Sequence, residues 1–169
     1  MSDARIYVGT YAKYNDGNLK GEWLDLDDYG DAEAFATACR ELHSDENDPE
    51  LMFQDFEGFP KAFYGESHLD PRIWEWLGLD EQDQELWAVY LDKVDPDASF
   101  ESARDAFMGT AKDEADWAYE YLNDCGMLAS LPDWAQNYFD FEAYARDAGI
   151  GGDVTFVRHD GELWVFSNH

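Results

Sequence analysis

Basic residues are scarce. The 169-residue chain holds 11 Lys and Arg against 39 Asp and Glu, for a formal net charge of −28. A surface this acidic repels phosphates, which excludes direct nucleic-acid binding. Cysteine is nearly missing: Cys39 and Cys125 stand far apart, each inside an expected helix. Both read as small buried hydrophobes in a reducing compartment rather than as a disulfide. No C-x-x-C or histidine cluster offers a zinc site, and His43, His68, His159 and His169 fall in expected loops or at the terminus. There is no G-x-S-x-G elbow, P-loop or H-E-x-x-H. With 39 acids, paired carboxylates can be drawn at will, so no pair is diagnostic of a glycosidase. The expectation is a protein that is not an enzyme and carries no metal or cofactor. No window approaches 18 apolar residues and no basic-then-apolar leader opens the chain, so neither a membrane span nor a signal peptide is expected. The expected location is the cytoplasm.

What is present points to a folded protein. Hydrophobic residues make up 45% of the chain and aromatics 17%, far too rich for a disordered acidic tail. The acidity is not a tail. Residues 1–60, 61–103 and 104–169 carry net charges of −11, −8 and −9. Self-repulsion of this size destabilises a compact state, so a use for the charge is expected. Duplex DNA carries one negative charge per roughly 1.7 Å, so 28 charges match about 48 Å of duplex. A compact globule of this length has a radius of gyration of only about 15 Å; matching DNA therefore requires an elongated shape. Asp outnumbers Glu and only five residues are Lys, a composition that also suits a salt-rich cytoplasm. Composition alone leaves three alternatives open: solubility in salt, calcium or acid buffering, and partnership with a basic surface.

Pattern gives an α+β fold in three small parts. Residues 1–60 read as a hairpin (Arg5 to Tyr11, Leu19 to Leu26), a helix from Asp31 to Leu42 and a strand from Leu51 to Phe56. Gly58-Phe59-Pro60 is a plausible boundary. Residues 61–103 read as helices: Ser67 to Leu77, Glu81 to Val94, and a turn from Ser99. Residues 104–169 read as a strand at Phe107 to Ala111, a helix at Asp113 to Cys125, the stretch Leu131 to Gly152, and a hairpin turning at Asp160-Gly161. In Leu131 to Gly152, Asp133 and Gln136 can form a capping box. Trp134, Tyr138, Phe141 and Ala145 then share one helical face; alternatively Asp140 caps a second, separate helix, the arrangement favoured here.

The densest acidic run, Asp25-Leu26-Asp27-Asp28-Tyr29-Gly30-Asp31, is no EF-hand. Tyr29 and Ala36 occupy positions that need oxygen ligands. It reads as a solvated turn and, compatibly, as a row of phosphate substitutes. The candidate phosphate-mimicking acids are Asp25, Asp27, Asp28, Asp31, Glu81, Asp83, Asp113, Glu114 and Asp116. Most aromatics read as core. Arg146 reads as a local neutraliser of Asp147, Asp140 or a helix end.

The run Leu131-Pro132, Gln136-Asn137-Tyr138, then Asp140, Tyr144 and Arg146-Asp147 resembles the antirestriction signature of the ArdA family. Further matches are Ile6-Tyr7-Val8, Tyr14-Asn15, Gly17, Leu19 and Gly21-Glu22-Trp23, then the closing segment Gly152 to Phe166. Order and spacing agree from about residue 5 to residue 166. The resemblance implies a DNA mimic carried on mobile elements, which occupies the DNA-binding groove of type I restriction-modification enzymes. It also implies a homodimer formed through the C-terminal part, for which Trp164 and Phe166 are the candidate interface residues.

Overall fold

A computed structural model describes residues 3–169. The fold is α+β, with two three-stranded antiparallel sheets and short helices. The chain divides into two compact units, Met1–Phe100 and Glu101–His169.

In the first unit, β1 (Arg5–Thr10) is the central strand, flanked by β2 (Glu22–Asp25) and β3 (Leu51–Glu57). Ile6 and Val8 on β1 are fully buried, as alternation on a strand with one covered face requires. A bulge at Tyr7/Val8 shifts the β1–β3 register. The expected hairpin forms, but its connection contains a helical turn, α1 (Tyr11–Asn15), which Thr10 caps by accepting the Lys13 N–H. Helix α2 (Ala32–Leu42) starts where Asp31 accepts the Ala34 N–H at 2.8 Å, and buries Phe35 and Cys39.

Residues 61–100 pack onto this sheet rather than standing apart from it. The Phe53 N–H donates to Glu66 O, the Tyr64 hydroxyl donates to Phe53 O, and the Phe35 and Trp74 rings lie 5.8 Å apart. The two segments on either side of Gly58-Phe59-Pro60 therefore belong to one unit. Helix α3 (Arg72–Leu77) is shorter than the spacing of Leu69, Ile73 and Trp74 predicts, because Pro71 sets its start. Helix α4 (Glu81–Lys93) buries Leu86, Trp87, Val89 and Leu91. The indole of Trp87 donates to Ala98 O, and Arg72 donates to Ala98 O and Pro96 O, so these two carbonyls of the loop before α5 (Phe100–Ala106) are satisfied.

In the second unit, β6 (Glu162–Ser167) lies between β4 (Phe107–Ala111) and β5 (Val154–His159). The β5–β6 hairpin turns through Asp160 (φ 49°) and Gly161 (φ 80°), the left-handed pair that a tight two-residue turn demands. Helices α6 (Glu114–Asp124) and α8 (Phe141–Ile150) pack on one sheet face. Their meeting points are Ala118 and Ala145, both fully buried, over Val154, Leu163 and Val165. Small side chains allow this close helix approach.

Between them, α7 (Asp133–Gln136) is a single turn, and Asp140 starts α8 by accepting the Ala143 N–H at 2.9 Å. The favoured break at Asp140 is present. The capping box is not: Pro132 precedes the turn, and Gln136 donates to Leu131 O instead. Nor do Trp134 and Tyr138 share an inward face, being 71% and 83% exposed. Cys39 is buried, whereas Cys125, at the end of α6, is exposed. Among the described residues no helix is long and apolar enough to cross a membrane.

Candidate functional site

Carboxylates gather at helix starts in both units. Asp31, Asp80, Asp113 and Asp140 each accept a backbone N–H three residues on, at 2.8 to 2.9 Å. Behind these caps, the first turns hold Glu33, then Glu81 and Asp83, then Glu114 and Asp116, then Glu142. Orphan N–H groups and the positive end of the helix dipole favour negative charge there, by about 0.3–1 kcal/mol each. The fold thus holds charges that would otherwise only repel, and it fixes their positions.

Of the expected phosphate mimics, Asp31 and Asp113 are caps and Glu81, Asp83, Glu114 and Asp116 occupy first turns. Asp116 also accepts the Lys112 N–H, and Glu114 pairs with Arg158 at 3.4 Å. Asp25, Asp27 and Asp28 are exposed around a 3-10 turn at Leu26–Asp28, pinned by fully buried Leu26. The nine therefore lie in three stretches of the chain, 25–31, 81–83 and 113–116. Sequence reasoning passed over Asp80, although the D-x-x-D spacing of Asp80 to Asp83 is a cap signal.

Several bases face inward or pair with a carboxylate next to them. Arg5 pairs with Glu57 at 2.7 Å, Arg72 with Asp70 at 2.8 Å, and Lys93 with its neighbour Asp92 at 3.3 Å. The Arg72 guanidinium beside Asp70 holds that carboxyl below its usual range. Lys13 is the extreme case. It is buried, and its ammonium contacts His43 Nδ1 (2.7 Å), Asp45 (2.9 Å) and Glu46 (3.1 Å). His43, Asp45 and Glu46 converge as metal ligands would; the cation they hold is the Lys13 ammonium.

The signature residues fall together on α7, the following turn and α8. Asn137, Tyr138, Asp140, Arg146 and Asp147 are exposed; Gln136 and Tyr144 are half-buried. Tyr144 packs against Trp117 and Phe139. Arg146 is exposed on α8.

Trp164 and Phe166 are the residues expected at a dimer interface. Both are buried, at 8% and 0% exposure, with their rings against Phe107. Strand β6 is the middle of its sheet and buries four successive residues, Leu163 to Phe166. Leu163 to Phe166 are core side chains of the single chain. The exposed large hydrophobics of this unit are instead Met108, Tyr119, Met127, Trp134, Tyr138 and Ile150.

No curated protein sequence matches the chain. A family model described as antirestriction protein (ArdA) matches residues 6–162, nearly the whole length. The chain belongs to the ArdA family of antirestriction proteins.

Proposed function

We propose that the protein blocks restriction by standing in for B-form DNA. It occupies the DNA-binding groove of a type I restriction-modification enzyme, on the methyltransferase core, and acts by occupancy rather than by catalysis. The observation that carries this reading is the placement of carboxylates at four helix starts, in both units, while bases such as Lys13 and Arg72 are held by neighbouring acids and carbonyls. Fixed carboxylates meet the Lys and Arg that otherwise hold phosphates, and binding releases counterions as DNA binding does. The mimic works in the cytoplasm, suits a mobile genetic element that must survive entry into a restricting host, and needs an elongated dimer. For the homodimer the supporting surface is the exposed aromatic set Tyr119, Trp134 and Tyr138 beside the signature.

Competition tests the proposal. Purified type I methyltransferase core is bound to labelled duplex and titrated with this protein. Displacement is expected near stoichiometry, with an affinity that falls steeply as salt rises. Single neutralisations such as Asp27→Asn or Glu81→Gln should leave inhibition nearly intact, because many charges share the contact. A salt-insensitive complex, or the loss of inhibition on one such change, overturns distributed mimicry. Absence of displacement by a folded dimer redirects the reading to another basic DNA-binding protein or nuclease.

A further inference from the structure

The second unit contains a groove of about 520 Å³ between the start of α6 and the end of α8. Its inner lining is apolar, Ala115 and Phe156, with Ile150 at its edge. Its rim is charged: Asp113, Glu114, Glu142 and Arg146. Ile150 is 80% exposed. Phe156 rests edge-on against Trp117 at 5.3 Å, which anchors its ring to the core. Gly149 keeps the floor open, since a Cβ there would stand 3.2 Å from Phe156 Cε2. Glycine within a helix costs about 1 kcal/mol relative to alanine, and here its bare Cα leaves the ring accessible.

An apolar floor under a rim with three acids and one base suits a cation on a long methylene stem. Arginine fits best, because its planar guanidinium stacks on aromatic faces and meets carboxylates in a fork. We propose that this groove takes one arginine side chain of the basic partner, with its stem on Ile150 and Phe156 and its guanidinium at Glu142. The proposal rests on the reading that the partner presents a basic, DNA-binding surface. It adds one shaped contact to an otherwise distributed charge match. Such an anchor gives specificity and slows dissociation, whereas surface charge mainly sets the rate of encounter. Arg146, four residues after Glu142 and lining the same groove, repels an incoming cation and competes with it for that carboxylate.

The test uses the whole protein and a probe independent of any restriction enzyme. The peptide acetyl-Ala-Arg-Ala-amide is titrated into isotope-labelled protein at physiological salt and followed by amide chemical shifts. Its citrulline counterpart is the neutral control. The expected result is a cluster of shifts at Glu114, Ala115, Gly149 and Ile150 with the arginine peptide alone. Ile150→Ser and Glu142→Gln should each weaken capture at least threefold, and Arg146→Ala should tighten it about twofold. Glu33→Gln, the same charge change in the other unit, should leave it unchanged. Shifts scattered over the acidic surface, or equal effects of Glu33→Gln and Glu142→Gln, overturn the proposal. The duplex competition is read separately: groove capture without duplex displacement keeps the groove and removes the restriction-enzyme reading.

Discussion

His43 Nε2 lies 3.0 Å from Val8 O, and its Nδ1 lies 2.7 Å from Lys13 Nζ. A carbonyl only accepts, so Nε2 carries the proton and Nδ1 accepts from the ammonium. The imidazole therefore joins β1 to Lys13, and Lys13 joins both to Asp45 and Glu46 in the loop before β3. Burial alone would lower the Lys13 pKa, but the hydrogen bonds that its ammonium donates to Asp45 and Glu46 more than offset it and the net shift is upward. Asp45 is held below its ordinary value by Lys13, and Glu46 by Thr10 and Lys13.

Lys13→Met should destabilise the first unit by about 2 kcal/mol. This is less than for a fully buried pair, because Asp45 is half exposed. Depressed carboxylate values give stability that is present above the ordinary values of 3.8 and 4.5 and lost as pH falls through the lower folded ones. Urea midpoints of wild type and variant should therefore differ at pH 7, begin to approach each other as pH falls past the ordinary values of 4.5 and 3.8, and meet only below the depressed folded values. A constant difference across that range would remove Lys13 from this role.

Gly58 has φ +78°, and a Cβ there would lie 2.3 Å from Asp3 O. Gly17 has φ +75° with open space around it. Gly17→Ala should therefore cost only the left-handed backbone penalty of about 1 kcal/mol. Gly58→Ala adds a backbone clash and should cost at least about 2 kcal/mol more. Denaturation midpoints of the two variants, measured side by side, decide this.

Burial separates two sets of aromatics. Phe166→Ala should cost about 3–5 kcal/mol and lower the melting temperature sharply, since the ring is fully buried. Trp134→Ser with Tyr138→Ser should leave the melting temperature of the dilute protein within a few degrees, but shift the proposed dimer toward monomer in sedimentation. A folded double variant that sediments like wild type would place the dimer contact elsewhere.

Burial pushes the Cys39 thiol up to about 12, while Cys125 is exposed. A thiol-reactive disulfide reagent should label Cys125 alone in native protein and both cysteines in denaturant. Rapid native labelling in Cys125→Ser would show that the α2 packing opens readily.

Local chemistry was legible from the residue order alone. Asp31, Asp113 and Asp140 cap helices because a short carboxylate before an apolar-periodic run can reach an N–H three residues on. The Asp160-Gly161 turn follows from the left-handed preference of that dipeptide. The α+β class, the acidity of every third of the chain and the family resemblance needed no coordinates. Only the tertiary structure decided what depends on distant neighbours. It brought β3 beside β1, merged residues 61–100 with the first sheet, and buried His43, which reads as a loop residue, together with Lys13. It placed Trp164 and Phe166 in a strand covered on both faces, and left Trp134, Tyr138 and Ile150 on the surface. Periodicity reports that a side chain is apolar and which way it points along its own element. Whether another element covers that direction is a matter of long-range packing, and that packing separated core aromatics from exposed ones here.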